Sequence, residues 1–200
     1  MNEKFFDLNR EKQDRMINAA LRVFAENGYR HASTDVIVKE ASISKGLLFH
    51  FFTNKIGLFS FLFDYSVKYM LFEYDRLISP KETDYFTIRK EMERAKLNVL
   101  RSYPYMSEFI EKSLQENQLD VIQTIEDSKN NYLDTLAKYY AQGNQSSLRS
   151  DISSTQLDNI ILYTVDGLTK NQMRTASFQP EMLFEQICSY LDTLQTLGTK

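Results

Sequence analysis

The chain of 200 residues is poor in cysteine, proline and glycine, of which it has one, three and six. The single cysteine, Cys188, excludes a disulfide within the chain, which is typical of proteins from a reducing compartment. So little proline and glycine favours long regular elements over irregular loops.

Residues that carry catalytic chemistry are equally scarce. The only histidines are His31 and His50, and Cys188 lies far along the chain from both. No pair of cysteines or histidines has metal-ligand spacing, and no glycine-rich phosphate-binding loop occurs. Neighbouring carboxylates such as Glu126 and Asp127 are typical of a solvated helix surface. We therefore expect no enzyme activity, no cofactor and no metal.

Long apolar runs are also missing, and we expect no secretory leader. The N-terminus is too polar for a signal peptide. The most apolar run, residues 56–74, contains Asp64, Lys68 and Glu73, which argues against a membrane span. The formal net charge is −3, yet residues 1–57 carry a small basic excess. These features predict a cytoplasmic protein with no membrane partner, whose positive charge is concentrated near its N-terminus.

What the sequence does have is helical periodicity. Met16, Ile17, Ala20, Leu21 and Phe24 recur at the spacing of one helix face. The pattern predicts an all-α fold of about nine helices. The first helix is placed at residues 10–27, and the second begins at a cap on Ser33 or Thr34 and ends at about 41. The others are placed at 45–51, 54–77, 85–101, 104–116, 118–141, 154–175 and 181–197. Alternating strand patterns of useful length are absent.

The segment SKGLLFHFFTNK, residues 44–55, is the most informative stretch. Ser44 can cap a short helix that buries Leu48 and presents Lys45 and His50 outward. Two short helices joined by a tight turn, braced by a longer helix before them, make a helix-turn-helix unit. Lysine can donate to guanine, and a glycine such as Gly46 permits close backbone approach to a groove. The segment therefore predicts a helix that reads DNA.

The same stretch resembles the N-terminal DNA-binding domain of the TetR family of transcriptional regulators. The resemblance covers residues 15–59 and rests on ENGY, Ser33-Thr34, Ser44-Lys45-Gly46, LFHFF and Lys55 with Leu58-Phe59. It implies a DNA-binding domain at 1–55 and a helical effector-binding and dimerisation domain at 56–200. Carried over by position, the phosphate contacts are Ser33, Thr34, Phe49, Phe51 and Lys55. The base-facing positions are Lys45, Gly46, Leu47 and His50.

Three positions depart from the family pattern. Ser42 stands where the turn usually has glycine, so we expect a strained or altered turn. Phe49 and Phe51 replace tyrosine or histidine, so Phe49 cannot donate a hydroxyl hydrogen bond and a packing role is left open for it. Val38 replaces an alanine and is expected to widen the helix spacing slightly. The phosphate grip is then expected to rely more on Thr34, Lys55 and backbone amides.

The C-terminal half is less specific. The resemblance implies a homodimer through the last two helices, a double-stranded DNA operator and a small effector. Two apolar faces are candidates for that interface or, equally, for the intrachain core: one is Leu157, Ile160, Ile161, Thr164, Val165 and Leu168; the other is Leu183, Phe184, Ile187, Leu191 and Leu194. The effector is expected to be mostly hydrophobic, because aromatic residues are abundant. The candidate pocket residues are Tyr69, Phe72, Tyr103, Met106, Phe109, Tyr132, Leu136, Tyr139, Tyr163 and Met173.

The function predicted is a sequence-specific DNA-binding regulator, a repressor released from its operator by that effector. The proposed lever is the fourth helix, which runs from Lys55 into the C-terminal domain. The alternative is a helical lipid- or partner-binding protein whose helix-turn-helix does not act at a specific operator.

Overall fold

The computed structural model describes residues 3–173 and 178–200. A 3₁₀ turn at Glu3–Asp7 precedes the first helix. The nine helices within the described residues are α1 (Arg10–His31), α2 (Thr34–Glu40), α3 (Lys45–Phe52), α4 (Lys55–Leu77), α5 (Tyr85–Ser102), α6 (Met106–Leu114), α7 (Leu119–Gln142), α8 (Ser154–Met173) and α9 (Pro180–Gly198). No strand occurs in these two ranges, where isolated bridges join Asp84 to Asn144 and Leu148 to Thr199. The predicted all-α fold is confirmed.

Helix α1 differs from its prediction at its C-terminal end. Gly28 has φ 67° and ψ 174°, a conformation that is essentially restricted to glycine. The predicted end at residue 27 lies just before this kink, after which the chain resumes a helical turn that ends at His31. At the other end, Asn9 caps the helix by accepting from the Lys12 amide at 2.9 Å.

The chain forms two compact units, which differ from the predicted division at residue 55. The first comprises Met1–Leu71 with Val99–Asp134, and the second comprises Phe72–Asn98 with Thr135–Lys200. This division follows packing density, whereas the predicted boundary was drawn by function. The functional boundary at residue 55 stays a prediction.

In the first unit, α1 packs against α2 and α6. The ring of Phe59 from α4 lies 5.1 Å from Phe24 of α1 and 5.2 Å from Phe109 of α6, both edge-on. Burial of large aromatic rings of this kind dominates core energetics. The helix-turn-helix is thus built on a core that includes α4 and α6.

The second unit has its own core, between the start of α5 and the α8–α9 pair. Its buried members are Tyr85, Phe86, Leu148, Leu157, Ile161, Val165, Leu183, Ile187 and Leu191, with Leu168 and Leu194 packed against them. Most of the two apolar faces predicted for α8 and α9 therefore belong to the intrachain core. Ile160 is an exception, since it is exposed.

Among residues 3–173 and 178–200, no single helix is long and apolar enough to cross a membrane. Only α3 and α4 taken together pass that test of length and composition, and they are bent by 64° relative to each other.

Candidate nucleic-acid interface

Helix α2 has one buried residue and begins without a side-chain cap. Ile37 is fully buried, whereas Ser33 occupies the capping position but its side chain makes no capping hydrogen bond. Ser33 and Thr34 are both half-buried at the start of the helix. The first-turn amides of α2 and the Ser33 hydroxyl are therefore available to an anion such as a DNA phosphate.

The turn between α2 and α3 is strained at Ser42. Its φ is 53°, a left-handed value that L-residues other than glycine rarely adopt. The Ile43 amide closes the turn by donating to the Val38 carbonyl at 3.0 Å. The expected strain at the position where glycine is usual is confirmed. The cost of holding serine there is about 1–2 kcal/mol.

Helix α3 has one buried face and one open face. Ser44 caps it by accepting from the Leu47 amide at 3.1 Å, as predicted. Leu48 and Phe52 are buried, at 0% and 2% exposure. The open face carries two groups of predicted DNA contacts: Lys45, Gly46 and His50 are exposed, and Leu47 and Phe49 are half-buried. A short capped helix with a cation, a glycine and an imidazole on its open face can enter a major groove.

Lys45 is engaged in an ion pair within the helix-turn-helix. Its ammonium lies 2.8 Å from Asp35 Oδ1, in the first turn of α2. Both side chains are largely exposed, at 51% and 72%, so the pair is accessible to solvent and ions. This pair joins residues ten positions apart across the turn, so no local sequence pattern predicted it.

The junction between α3 and α4 is unusually constrained. Thr53 has φ 66° and ψ −53°, and the Asn54 amide donates to the Phe52 carbonyl at 2.7 Å, which together form a γ-turn. Asn54 then caps α4 by accepting from the Gly57 amide at 2.8 Å. A Cβ at Gly57 would lie 2.2 Å from the Phe52 carbonyl oxygen. The 64° bend between the helices is thus held by backbone geometry.

Lys55 is fixed at the start of α4. Its ammonium donates to the Arg30 carbonyl at 3.2 Å and lies 4.8 Å from the centre of the Tyr29 ring. Partial burial lowers the pKa of Lys55. This arrangement fixes a cation at the end of α1, where it can meet a phosphate with little loss of side-chain entropy.

The two phenylalanines of α3 that replace polar residues occupy different environments. Phe49 is half-buried on the open face. Phe51 is only 4% exposed, with its ring centre 5.6 Å from Phe5 and 6.3 Å from Phe52. In this structure Phe51 packs in the interior, so a phosphate contact by its side chain would require it to leave this cluster.

The predicted effector residues do not form one group. Tyr103, Met106, Phe109, Tyr132 and Tyr139 are buried, Tyr69 and Leu136 are half-buried, Phe72 and Tyr163 are exposed, and the Met173 side chain lies outside the described residues. In the first unit, Tyr69 and Tyr103 are in contact, with ring centres 5.1 Å apart. In the second unit, Tyr139 packs on Tyr74 with centres 5.8 Å apart.

A polar cluster accompanies the first of these contacts. The Tyr103 hydroxyl donates to Asp14 of α1 at 2.9 Å and lies 2.7 Å from the Tyr65 hydroxyl of α4. Burial, together with these hydrogen bonds, raises the pKa of Tyr103. Tyr103 therefore joins α1 to α4 as a neutral hydrogen-bond donor. The sequence had placed it only among aromatic pocket residues.

Residues 16–60 match the family described as bacterial regulatory proteins, tetR family. An uncharacterised helix-turn-helix transcriptional regulator from Bacillus subtilis, YuxN, is 28% identical over 120 residues, covering 58% of this chain and 39% of that protein. The fatty acid metabolism regulator protein of Bacillus subtilis is 23% identical over 158 residues, covering 78% of this chain and 81% of its own. The chain thus matches well under half of the first relative but most of the second.

Solved structures show the same fold. The ketosteroid regulator KstR2 of Mycobacterium tuberculosis superposes with a TM-score of 0.72 at 17% identity, over 96% of this chain and 97% of its own. The regulator FadR of Bacillus subtilis, solved in complex with stearoyl-CoA, has a TM-score of 0.56 at 21% identity, over 88% and 96%. These structures confirm the all-helical fold, and the family match over residues 16–60 confirms the resemblance of the N-terminal domain to the tetR family.

Proposed function

We propose that this chain is a sequence-specific DNA-binding transcriptional regulator that reads an operator through α3. The observation that carries the proposal is the open face of α3. Its cation, glycine and imidazole are exposed on a helix whose other side is buried and whose ends are capped or locked. Such rigidity favours base readout, because recognition groups must be held close to their productive geometry. A regulator of this kind acts in the cytoplasm, on chromosomal DNA.

The regulator acts as a homodimer through α8 and α9. Both helices carry exposed apolar side chains outside the core of the second unit: Ile160, Leu162 and Tyr163 on α8, and Met182, Tyr190 and Leu197 on α9. Ile160, Tyr163 and the exposed Gly167 follow a helical i, i+3, i+7 spacing, which gives a stripe with a glycine where a second helix can approach closely. Two fixed heads can then read half-sites about 34 Å apart.

The dimer is tested by placing a charge among the exposed apolar side chains of α8 and of α9. Ile160→Glu and Tyr190→Glu should shift the protein to monomers in sedimentation experiments, because each buries an unpaired carboxylate in the interface. Leu119→Glu is the matched control, since Leu119 is also a highly exposed apolar residue, at 75%, but lies at the start of α7. Monomers in the Leu119 variant, or dimers in both the Ile160 and the Tyr190 variant, would argue against this interface.

The effector is an acyl chain carried on a polar head, and binding it releases the operator. Support comes from the fatty acid regulator, which aligns with most of this chain, and from the stearoyl-CoA complex of the fold relative. Within the first unit, the buried side chains of Tyr103, Met106 and Phe109 can line an apolar channel once the helices around them separate. Stearoyl-CoA is the first compound to test, with free CoA as the control that lacks the chain.

The experiment that tests DNA recognition is selection from a random DNA library, followed by anisotropy titration of the selected fragment. Lys45→Ala and His50→Ala should each weaken binding by about 1–3 kcal/mol and relax the preference at one base position. Lys55→Ala should weaken binding to all sequences alike and lower the salt dependence. Failure to select any sequence, with weak binding even at low salt, would favour the alternative of a lipid- or partner-binding protein.

A further inference from the structure

The residues before α1 pack against the buried side of α3, the proposed recognition helix. In the 3₁₀ turn at Glu3–Asp7, Phe5 is fully buried, whereas the adjacent Phe6 is 51% exposed. The Phe5 ring centre lies 5.6 Å from Phe51 and 5.1 Å from Phe52 of α3. It also lies 5.3 Å from Phe61 of α4. Phe5 thus fills the space between the two helices that meet at the 64° bend.

The turn is attached to α1 independently of that ring. The Gln13 side-chain amide donates to the Phe6 carbonyl at 3.1 Å and to the Leu8 carbonyl at 2.7 Å. Gln13 therefore fixes the path of the backbone that carries Phe5. We call the segment from Glu3 to Asn9, held in this way, the N-terminal clamp.

We propose that Phe5, held by the N-terminal clamp, is a positioning residue that fixes the position of the recognition helix α3 for DNA binding. The inference rests on the proposed function, since it concerns how α3 meets a groove. Its basis is that Phe51 and Phe52 form the inward side of α3 and that Phe5 packs against both. Close-packed interiors transmit small volume changes to their neighbours, so removing this ring lets α3 shift.

This role differs from that of an ordinary core residue because of where Phe5 comes from. It lies outside the three-helix unit, and the contacts that join α1 to α2 do not involve it. Loss of its ring should therefore loosen α3 and the start of α4 while α1 keeps its packing on α2. A shift of about 0.5–1 Å is enough to impair a base contact, because binding groups must be held within about 0.5 Å of their productive geometry. A phosphate contact through a long lysine side chain tolerates a larger shift.

The test compares four variants of the full chain: Phe5→Ala, the conservative Phe5→Leu, Gln13→Ala, which weakens the clamp without emptying the core, and Phe6→Ala as the matched control. Amide hydrogen exchange is measured first, without DNA. In Phe5→Ala we expect exchange in residues 45–52 to rise about tenfold more than exchange in residues 16–25. Gln13→Ala should show the same pattern more weakly, Phe5→Leu should restore most of the protection, and Phe6→Ala should leave it unchanged.

DNA binding is then measured on the selected operator and on unrelated DNA of equal length. The ratio of the two affinities should fall about tenfold in Phe5→Ala and recover in Phe5→Leu, while the affinity for unrelated DNA changes little. Exchange that rises equally in all helices, or a ratio that stays constant, would overturn the inference. A wild-type chain that selects no operator would overturn the proposed function, and the exchange data would still decide whether Phe5 seats α3.

Discussion

Replacing Asp35 by asparagine should tighten operator binding while slightly destabilising the free protein. In the free chain, Asp35 holds the Lys45 ammonium at 2.8 Å, so Lys45 must break this pair to meet a base. With both side chains more than half exposed, such a pair stabilises by about 0.2–1 kcal/mol. Releasing it increases affinity by a factor of about 1.4 to 5.

A second contribution comes from charge. Asp35 lies in the first turn of α2, beside the amides proposed to receive a phosphate. Removing its negative charge eliminates its repulsion of that phosphate. That gain should be larger at about 50 mM than at about 200 mM salt, by up to about threefold. The free protein, by contrast, loses a carboxylate at a helix N-terminus, which costs about 0.3–1 kcal/mol.

The assay is fluorescence anisotropy with the selected operator at both salt concentrations, alongside thermal unfolding. Asp151→Asn is the matched control, because it removes the same charge from an exposed pair with Arg149 at 2.7 Å, in the loop before α8. The control should leave operator affinity nearly unchanged. If Asp35→Asn weakens operator binding tenfold, Asp35 does not withhold Lys45 from DNA but holds it in the position that DNA requires.

Three further predictions address stability and reactivity. Gly57→Ala should lower the free energy of unfolding by about 1–3 kcal/mol, because the added Cβ meets the Phe52 carbonyl. In Gly46→Ala the added Cβ meets only Ser44 Oγ, at 4.0 Å, so this variant should keep its melting temperature and lose operator affinity. The free energy of unfolding should fall as the pH rises above 10, the unfolded pKa of tyrosine, because the fold keeps Tyr103 protonated. Urea titrations at several pH values should show a shallower fall for Tyr103→Phe than for the wild type. Equal dependence of stability on pH in the two proteins would contradict this. Burial raises the pKa of Cys188, so its reaction with Ellman's reagent at pH 8 should be slower in the folded chain than in urea, and equal rates would contradict it.

Helix positions were predictable from the sequence because they depend on local signals. Ser44 caps the helix it was assigned to, and α4 and α9 begin within one residue of their predicted starts at 54 and 181. The strain at Ser42 was also predictable, since a turn that favours glycine imposes its φ on whatever residue stands there.

Contacts between distant residues were not predictable in the same way. An apolar stripe on α8 or α9 looks the same whether it meets its own chain or a second copy. Leu157 and Leu183 proved to be intrachain core, whereas exposed Tyr163, assigned to an effector pocket, lies on the stripe proposed for the dimer. The N-terminal clamp was not predicted, because its three apolar residues, Phe5, Phe6 and Leu8, follow no clear period and only the fold decides that Phe5 is the buried phenylalanine.

The constraints around α3 converge on its inner face and leave its outer face adjustable. Phe5 and the γ-turn at Thr53 fix the helix from behind and at its end, through packing and backbone geometry that salt does not weaken. Lys45, by contrast, is held by a single exposed ion pair that salt and phosphates can displace. Since rigid backbone placement and exchangeable side-chain contacts act on different atoms, substitutions behind α3 should alter sequence discrimination. Substitutions at Asp35 should alter affinity and its salt dependence.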